Sequence, residues 1–260
     1  MRLFKLGLPG AALAFSAVFA APVYAQDAAV ENAAEAEAKE PLTVSGSVAL
    51  VSEYKFRGIS LSDKNPAVQG AIGIAHDSGV YAGLWSSSTD GFGEVGGTNM
   101  ELDLYAGWKG DVAPDTSFDA GLLYYAYPGS KGGDYEFFEP YAQVSRQFGP
   151  VNANVGVNFA PSQKATGSNS NIYVHGELAA ALAGTPVTLK AHVGHSKGDT
   201  PLSPTGAYTD WSLGADVAWK NLTAGIAWVD TDLKAADAAA AGTRKSVFGS
   251  AFVATLTASF

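Results

Sequence analysis

From Leu42 to the last residue, apolar and polar residues alternate with a period of two, which is typical of β-strands with one apolar and one polar face. In one such segment, Val151, Val155 and Phe159 share a face and asparagines occupy the other. Turn-forming residues divide the pattern into twelve segments, and the third and sixth alternate least regularly. The segments are 42–57, 66–76, 79–89, 99–109, 116–127, 135–148, 151–160, 171–183, 186–196, 209–220, 221–231 and 246–260.

The connections between these segments are of two kinds. Those after even-numbered segments are mostly tight, such as 148–150 and 220–221. Those after odd-numbered segments are mostly longer and rich in Gly, Ser, Asp and Pro, such as 161–170 and 231–245. An even strand count with short turns at one end and long loops at the other is typical of single-chain outer-membrane barrels. The sequence therefore predicts a twelve-stranded antiparallel transmembrane β-barrel over residues 42–260, with short periplasmic turns and longer extracellular loops.

The aromatic residues distinguish a membrane barrel from a soluble sandwich, since alternation alone fits both folds. On the apolar face they fall at the strand ends, as expected of rings that lie at two membrane–water interfaces. No segment after residue 25 has the run of ~18 apolar residues expected of a spanning helix. The predicted interface aromatics are Trp108, Phe148, Trp219 and Phe260 at short-turn ends, and Phe56, Phe159, Trp211, Trp228 and Phe248 at long-loop ends.

Residues 1–25 have the features of an export signal. Arg2 and Lys5 precede an apolar stretch, and Val23 and Ala25 provide the small-x-small cleavage pattern. We therefore expect a mature chain that begins at Gln26. Residues 26–41 form an acidic leader rich in Ala and Glu, to which we assign no site. Together with the barrel pattern, export predicts the outer membrane as the location.

Composition narrows the chemistry. The 260-residue chain has a formal net charge of -9 and no cysteine, which excludes disulfides, thiolate metal sites and cysteine nucleophiles. Without the signal peptide and leader, the barrel residues carry about -7. Nucleic acid is therefore not an expected partner, because phosphate binding relies on clustered Lys and Arg. Carboxylates, hydroxyls, aromatic rings, the backbone and four histidines are left to provide function.

The polar face supplies the candidate residues of the lumen. About eight strands give a filled barrel and sixteen or more an open channel, so twelve predict a narrow polar lumen, partly blocked by charged side chains or an inward loop. Both signs of charge occur, so a purely anion-selective lumen is not expected. Alternatively, the charges pair with each other and plug the barrel. The candidates for the lumen and its constriction are Glu53, Lys55, Arg57, Gln69, Glu101, Asp103, Asp119, Glu139, Glu177, Lys190, His192, Asp216 and Lys220.

Arg57 lies at the outer end of the first predicted strand. Its expected partners are Glu53, two residues back, or Asp63 in the following loop. Anchoring of the mouth and contact with a permeant are both compatible with this position.

Two histidines share the polar face of the eighth and ninth predicted strands. A register in which paired numbers sum to 367 sets His175 opposite His192 and Glu177 opposite Lys190. Two imidazoles and a carboxylate can bind a divalent metal or sense pH. A slip of two residues would separate them, so we predict no metal site and no cofactor.

Catalysis is not expected. His195 falls on the apolar face, and its neighbours there on the same strand are Val193 and Lys197, so no serine accompanies it. An outer-membrane hydrolase that uses His175, His192 or His195 is kept as a third hypothesis.

The chain ends in an alternating segment with Phe252, Leu256 and Phe260 on one face. This segment resembles the terminal signature by which the outer-membrane assembly machinery recognises its clients. We therefore expect that machinery as a partner through the Phe260 segment, beside outer-membrane lipid and small hydrophilic solutes.

Residues 52–60 (SEYKFRGIS), followed by Ser62-Asp63 and by 65–70 (NPAVQG), resemble the opening signature of the TorF-type porins. The similarity continues through 79–85 (GVYAGLW) and 101–103 (ELD) and extends from about residue 42 to the end. The resemblance implies an outer-membrane barrel that acts as a channel, and it carries over no substrate or catalytic residue. We expect a passive diffusion channel for small hydrophilic solutes; the alternative is a closed structural or adhesive barrel that acts through its extracellular loops.

Overall fold

The computed structural model describes residues 41–90, 97–131, 133–234, 236–237 and 245–260. The expected signal peptide and residues 26–40 of the leader lie outside this range. Within it, twelve strands close into one barrel, each antiparallel to both neighbours, and the first strand pairs with the last. The predicted twelve-stranded antiparallel barrel is confirmed. No helix in the described ranges is long and apolar enough to cross a membrane.

The barrel strands follow the predicted segments closely. Two short strands, β2 (Lys55–Phe56) and β3 (Ile59–Ser60), form a hairpin outside the barrel ladder, and a 3-10 helix (Lys245–Phe248) precedes the last strand. The barrel itself consists of β1 (Leu42–Val51), β4 (Ala67–His76), β5 (Val80–Ser88), β6 (Met100–Ala113), β7 (Thr116–Ala126), β8 (Phe137–Phe148), β9 (Val151–Ala160), β10 (Asn171–Ala181), β11 (Val187–Lys197), β12 (Ala207–Trp219), β13 (Leu222–Thr231) and β14 (Ala251–Ser259).

Two predicted strands are too long. The first ends at Val51 instead of residue 57, because the chain then turns into the barrel. The last begins at Ala251 instead of residue 246, because Val247 and Phe248 are buried against Tyr208 and Leu233. Phe248 is therefore a buried residue, and its prediction as an interface aromatic is wrong.

The outer face of the barrel is apolar and exposed. Val155, Leu213 and Leu256 are typical of its middle, since each exposes about half or more of its surface. Trp211 and Trp228 lie side by side at the long-loop end, with ring centroids 6.4 Å apart. The remaining predicted interface aromatics on this outer face are Trp108, Phe148, Phe159, Trp219 and Phe260, all exposed.

The structure resolves the facing of the two least regular segments. In β5, Tyr81 and Trp85 are buried inside the barrel, whereas Leu84 is exposed outside. In β8, Glu139 is buried inside and Phe138 is exposed outside. Both strands therefore alternate like the others, although their inner faces carry large aromatic rings that obscure the pattern in the sequence.

The inside of the barrel is packed at the long-loop end and opens towards the short turns. Along β1, the inward positions change from buried Ala49 through half-buried Ser47 to exposed Ser45. Along β8, they change from buried Gln143 to exposed Gln147 in the same direction. The accessible part of the interior thus lies in the short-turn half.

Inward-facing glycines let aromatic rings lie flat against the wall. A Cβ at Gly107 would come within 2.6 Å of the Tyr81 hydroxyl, and a Cβ at Gly121 within 2.6 Å of the Tyr141 hydroxyl. Each ring thus occupies the space that a side chain on the neighbouring strand would need. This arrangement keeps bulky residues on the wall and out of the centre of the barrel.

Candidate functional site

The long-loop half of the interior is filled by residues 53–62, which we call the inward hairpin. The main chain leaves the wall at Ser52, whose N–H still donates to the Ala254 carbonyl at 2.9 Å. From there to Ser62 nearly every residue is buried, whether its number is odd or even. The period of two continues past the end of β1 because β2 is also extended, but here both faces are buried inside the barrel.

The tip of the inward hairpin is a tight turn at Arg57 and Gly58, where φ is 48° and 77°. Positive φ is strained for residues with a side chain and easily adopted by glycine. A Cβ at Gly58 would also collide with the Thr231 methyl group and lie 3.0 Å from the Asp210 Cβ. The turn therefore requires glycine both for its backbone and for its close approach to β12 and β13.

Arg57 forms a buried ion pair with the wall. Its Nη2 donates to both carboxylate oxygens of Glu139 at 2.7 Å, and the two side chains are 1% and 0% exposed. Glu139 also accepts from Tyr125 Oη at 3.0 Å and Asn158 Nδ2 at 3.1 Å. On the other side, the guanidinium lies 4.1 Å from the centroid of the Tyr173 ring. Burial acts to lower the pKa of Arg57, but the nearby Glu139 carboxylate outweighs it and raises that pKa above its ordinary value.

The predicted partner of Arg57 was wrong. The sequence favours Glu53 or Asp63, but the ion pair joins β8 to the hairpin because the turn carries Arg57 across the lumen. Glu53 instead pairs with Lys55, at 3.4 Å. Lys55 Nζ also donates to two backbone carbonyls, at 3.2 Å in the hairpin and 2.8 Å before β14. Burial lowers the pKa of Lys55, and Glu53 offsets part of that shift.

Two tyrosines fasten the hairpin to other strands. Tyr54 Oη donates to Glu101 Oε1 at 3.0 Å, and Tyr208 Oη donates to the Arg57 carbonyl at 3.1 Å. Phe56 packs edge-on against Tyr125 with ring centroids 5.9 Å apart. Phe56 is therefore inside the barrel, and its prediction as an interface aromatic is wrong. The hairpin contacts β6, β7, β8, β10 and β12, and so spans the lumen.

A second polar group lies below the hairpin on β5, β7 and β8. Asp119 accepts from Tyr81 Oη at 2.5 Å and from Gln143 Nε2 at 3.2 Å. The Tyr81 and Tyr141 hydroxyls also hydrogen bond to each other. Further up the wall, at the level of Glu101, Gln69 Nε2 of β4 donates to the Ser87 hydroxyl of β5 at 3.3 Å.

The histidines come together, although in a different register from the predicted one. Paired residues of β10 and β11 sum to 369, so Glu177 lies opposite His192. Glu177 Oε1 is 2.6 Å from His175 Nδ1 and 3.3 Å from His192 Nδ1, and His192 Nε2 is 3.0 Å from Asp210 Oδ1. Because carboxylate oxygens face both of its ring nitrogens, His192 is positioned to carry two protons and a positive charge. Within the described residues, no group of three or more metal-ligating side chains could hold a metal ion.

Asp210 is a site residue absent from the predicted set. It is buried inside the barrel and accepts from Tyr173 Oη at 3.1 Å. Its parity along the strand equals that of Asp216, so the alternation could have identified it. Asp216 itself pairs with Lys190 at 2.6 Å.

Lys220 does not belong to the lumen. It lies in the exposed turn between β12 and β13 with a φ of 54°, and its Nζ is 5.1 Å from the centroid of the Trp219 ring. The tight turn ends the alternation before Lys220, so its prediction as a lumen residue is wrong. The other twelve candidates lie on the hairpin or on inward positions of the wall.

His195 has a hydroxyl neighbour on the adjacent strand, although its own strand offers none on that face. Its Nδ1 is 3.1 Å from Thr209 Oγ1 on the outer face. Asp232 is the carboxylate that contacts Thr209: it accepts from the Thr209 backbone N–H at 2.9 Å. That contact holds the backbone of Thr209 and does not orient the His195 ring.

Known proteins resemble this chain in fold. No curated protein matches it in sequence. The NanC porin has a TM-score of 0.56 at 10% identity, over 84% of this chain and 99% of its own. The KdgM porin in complex with disordered oligogalacturonate has a TM-score of 0.55 at 8% identity, also over 84% and 99%. An outer-membrane channel from Pseudomonas putida F1 has a TM-score of 0.47 at 11% identity, over 88% and 99%.

The first two similarities show that this chain has the fold of outer-membrane porins. A family model also matches residues 35–260, which include every strand described above. The chain therefore belongs to the family described as bacterial protein of unknown function (Gcw_chp).

Proposed function

We propose that this protein is an outer-membrane porin, a passive diffusion channel for small hydrophilic solutes. The observation that carries the proposal is a closed twelve-stranded barrel with an exposed apolar outside and a polar, charged inside. An apolar outside suits contact with lipid, and a polar inside suits contact with water. The shared fold with the NanC and KdgM porins, and the resemblance of residues 52–60 to the TorF-type signature, support the same function.

The inward hairpin would act as the constriction of this channel. It occupies the long-loop half of the lumen, whereas the short-turn half keeps exposed inward side chains such as Ser45 and Gln147. A solute would therefore meet the narrowest passage near the Arg57–Glu139 pair. Low conductance and exclusion of large solutes follow from this position.

A closed structural or adhesive barrel is the second candidate. The observation that favours it is the packing around the hairpin, where Tyr54, Glu101 and Glu139 are fully buried. In that case the long loops would provide the function by contacting partners or the lipid surface.

The C-terminal residue has a structural role that is compatible with recognition by the assembly machinery. The Phe260 N–H donates to the Gly46 carbonyl at 2.9 Å, and the Gly46 N–H donates to the Phe260 carbonyl at 2.8 Å. These bonds extend the seam that closes the barrel. We therefore propose that the terminal segment serves first as a recognition signal and then as part of the closure.

Planar-bilayer recording distinguishes the two functions. The chain from Gln26 onward would be refolded in detergent, and its folding checked by heat-dependent migration on a gel. Discrete conductance steps that increase with salt concentration are expected for the channel. A silent bilayer that contains folded protein would overturn the channel and favour the closed barrel. Rates of liposome swelling in sugars of increasing size would then measure the size limit.

A further inference from the structure

The charges on the inner wall are unbalanced. Among the described residues, eight buried or half-buried carboxylates face the interior, against four lysine or arginine side chains. This is a surplus of four negative charges, or three if His192 is counted as a cation. The carboxylates are Glu53, Glu101, Asp103, Asp119, Glu139, Glu177, Asp210 and Asp216, and the basic residues are Lys55, Arg57, Lys109 and Lys190.

Most of these carboxylates have a nearby cation. Three form the ion pairs Glu139–Arg57, Glu53–Lys55 and Asp216–Lys190. Asp119 lies opposite Lys109 in the β6–β7 register. The remaining two, on the β10–β12 side, both contact His192, and Glu177 also lies 2.6 Å from His175 Nδ1.

Glu101 and Asp103 on β6 are the exception. Both are more than nine-tenths buried, and no Lys, Arg or His pairs with either within the described ranges. Glu101 Oε1 accepts from Tyr54 Oη at 3.0 Å, but Glu101 Oε2 and Asp103 Oδ1 have no hydrogen-bond partner among these residues. A buried carboxylate without a partner is costly, and a cation or a proton relieves that cost. These two oxygens therefore mark a part of the inner wall where a passing cation would relieve an unpaired buried charge.

We infer that the lumen prefers cations and that Glu101 and Asp103 determine this preference. The inference rests on the proposed channel function and names its solute class: small hydrophilic cations. A lumen with a carboxylate surplus and low-dielectric walls raises the local concentration of cations and lowers that of anions.

The size of the effect can be estimated. At ~0.1 M salt, a unit charge about 8 Å from an ion changes its local concentration roughly 1.5-fold, in opposite directions for cations and anions. Removing two such charges therefore lowers the cation-to-anion permeability ratio about fivefold. Glu101→Gln with Asp103→Asn removes both charges and keeps the shape of both side chains.

The test is the reversal potential of the refolded protein in a planar bilayer under a KCl gradient. We expect a displacement towards the potassium equilibrium potential, and a decrease of about fivefold in the permeability ratio for the double variant. Asp134→Asn with Glu136→Gln is the matched control, since both residues are exposed at the long-loop rim. It should leave the ratio near the wild-type value.

Each outcome decides a different question. Conductance steps whose reversal potential is near zero, or displaced towards the chloride equilibrium potential, would overturn the cation preference but still support the channel function. Equal ratios in the double variant and the wild type would overturn the assignment to Glu101 and Asp103. If the double variant does not fold, the single changes Glu101→Gln and Asp103→Asn replace it. A silent bilayer of folded wild-type protein would overturn the channel itself, and the cation preference with it.

Discussion

The Arg57–Glu139 pair provides the sharpest test of the inward hairpin. Arg57→Met removes the charge and keeps much of the side-chain length, and it leaves Glu139 buried without a cation. Loss of one partner of a buried ion pair costs about 3–5 kcal/mol. The barrel ladder does not include the hairpin, so this cost is relieved if the hairpin moves and water reaches Glu139. At 1.4 kcal/mol per tenfold, the population of the displaced hairpin rises by up to roughly 10²- to 4 × 10³-fold.

Single-channel recording would show this change as a larger or more frequent open level for Arg57→Met. Lys190→Met is the matched control, because it also removes an interior cation from a buried pair but leaves the hairpin contacts intact. Arg57→Met combined with Glu139→Gln should open less than Arg57→Met alone, since no unpaired charge is then buried. The same conductance in Arg57→Met and Lys190→Met would refute the idea that this pair holds the constriction.

Three further predictions concern the wall and its seam. Gly107→Ala should lower the free energy of unfolding in detergent by about 1–3 kcal/mol, because the new Cβ displaces the Tyr81 ring. Gly70→Ala is the control and should be tolerated, since the nearest atom to its new Cβ would be 3.7 Å away; equal effects of the two changes would contradict the ring packing. Trp219→Ala should weaken folding into lipid vesicles by about 1.5–3 kcal/mol, as measured by urea titration, since the exposed ring loses its place at the interface. Deletion of Phe260 should reduce the folded yield in the outer membrane, whereas Phe260→Tyr, which keeps a terminal aromatic ring, should give a yield near that of the wild type. An unchanged yield on deletion would argue against Phe260 both as a recognition signal and as part of the barrel closure.

The barrel could be predicted because every wall strand separates two different environments. An exposed apolar outer face and a polar interior impose alternation on strands as different as β1 and β12. The lengths of the turns and loops could also be predicted, because turn-forming residues mark where each strand ends. The same alternation is unchanged by a slip of two residues, so it predicts faces but not partners. The β10–β11 register depends instead on the turn, where the Leu182 N–H donates to the Val187 carbonyl at 2.9 Å.

The inward hairpin could not be predicted from alternation. Residues of both parities, such as Tyr54 and Lys55, are buried in it, because all its surroundings lie inside the barrel. Its extended β2 therefore looks like a continuation of β1, and Phe56 looks like a lipid-facing ring. The one local signal is Gly58, which suits a turn with positive φ but is equally common in surface loops.

The hairpin and the carboxylate surplus are physically linked. The hairpin brings Lys55 and Arg57 into the lumen against one carboxylate, Glu53, and so contributes a net positive charge. Displacement of the hairpin would change the interior surplus from four to five negative charges and would uncover Glu139. An open state produced by Arg57→Met should therefore prefer cations more strongly than the wild-type channel does. A constriction that acted through its shape alone would leave the reversal potential unchanged when the hairpin moves. Conductance and reversal potential, measured together on Arg57→Met, therefore separate steric from electrostatic control.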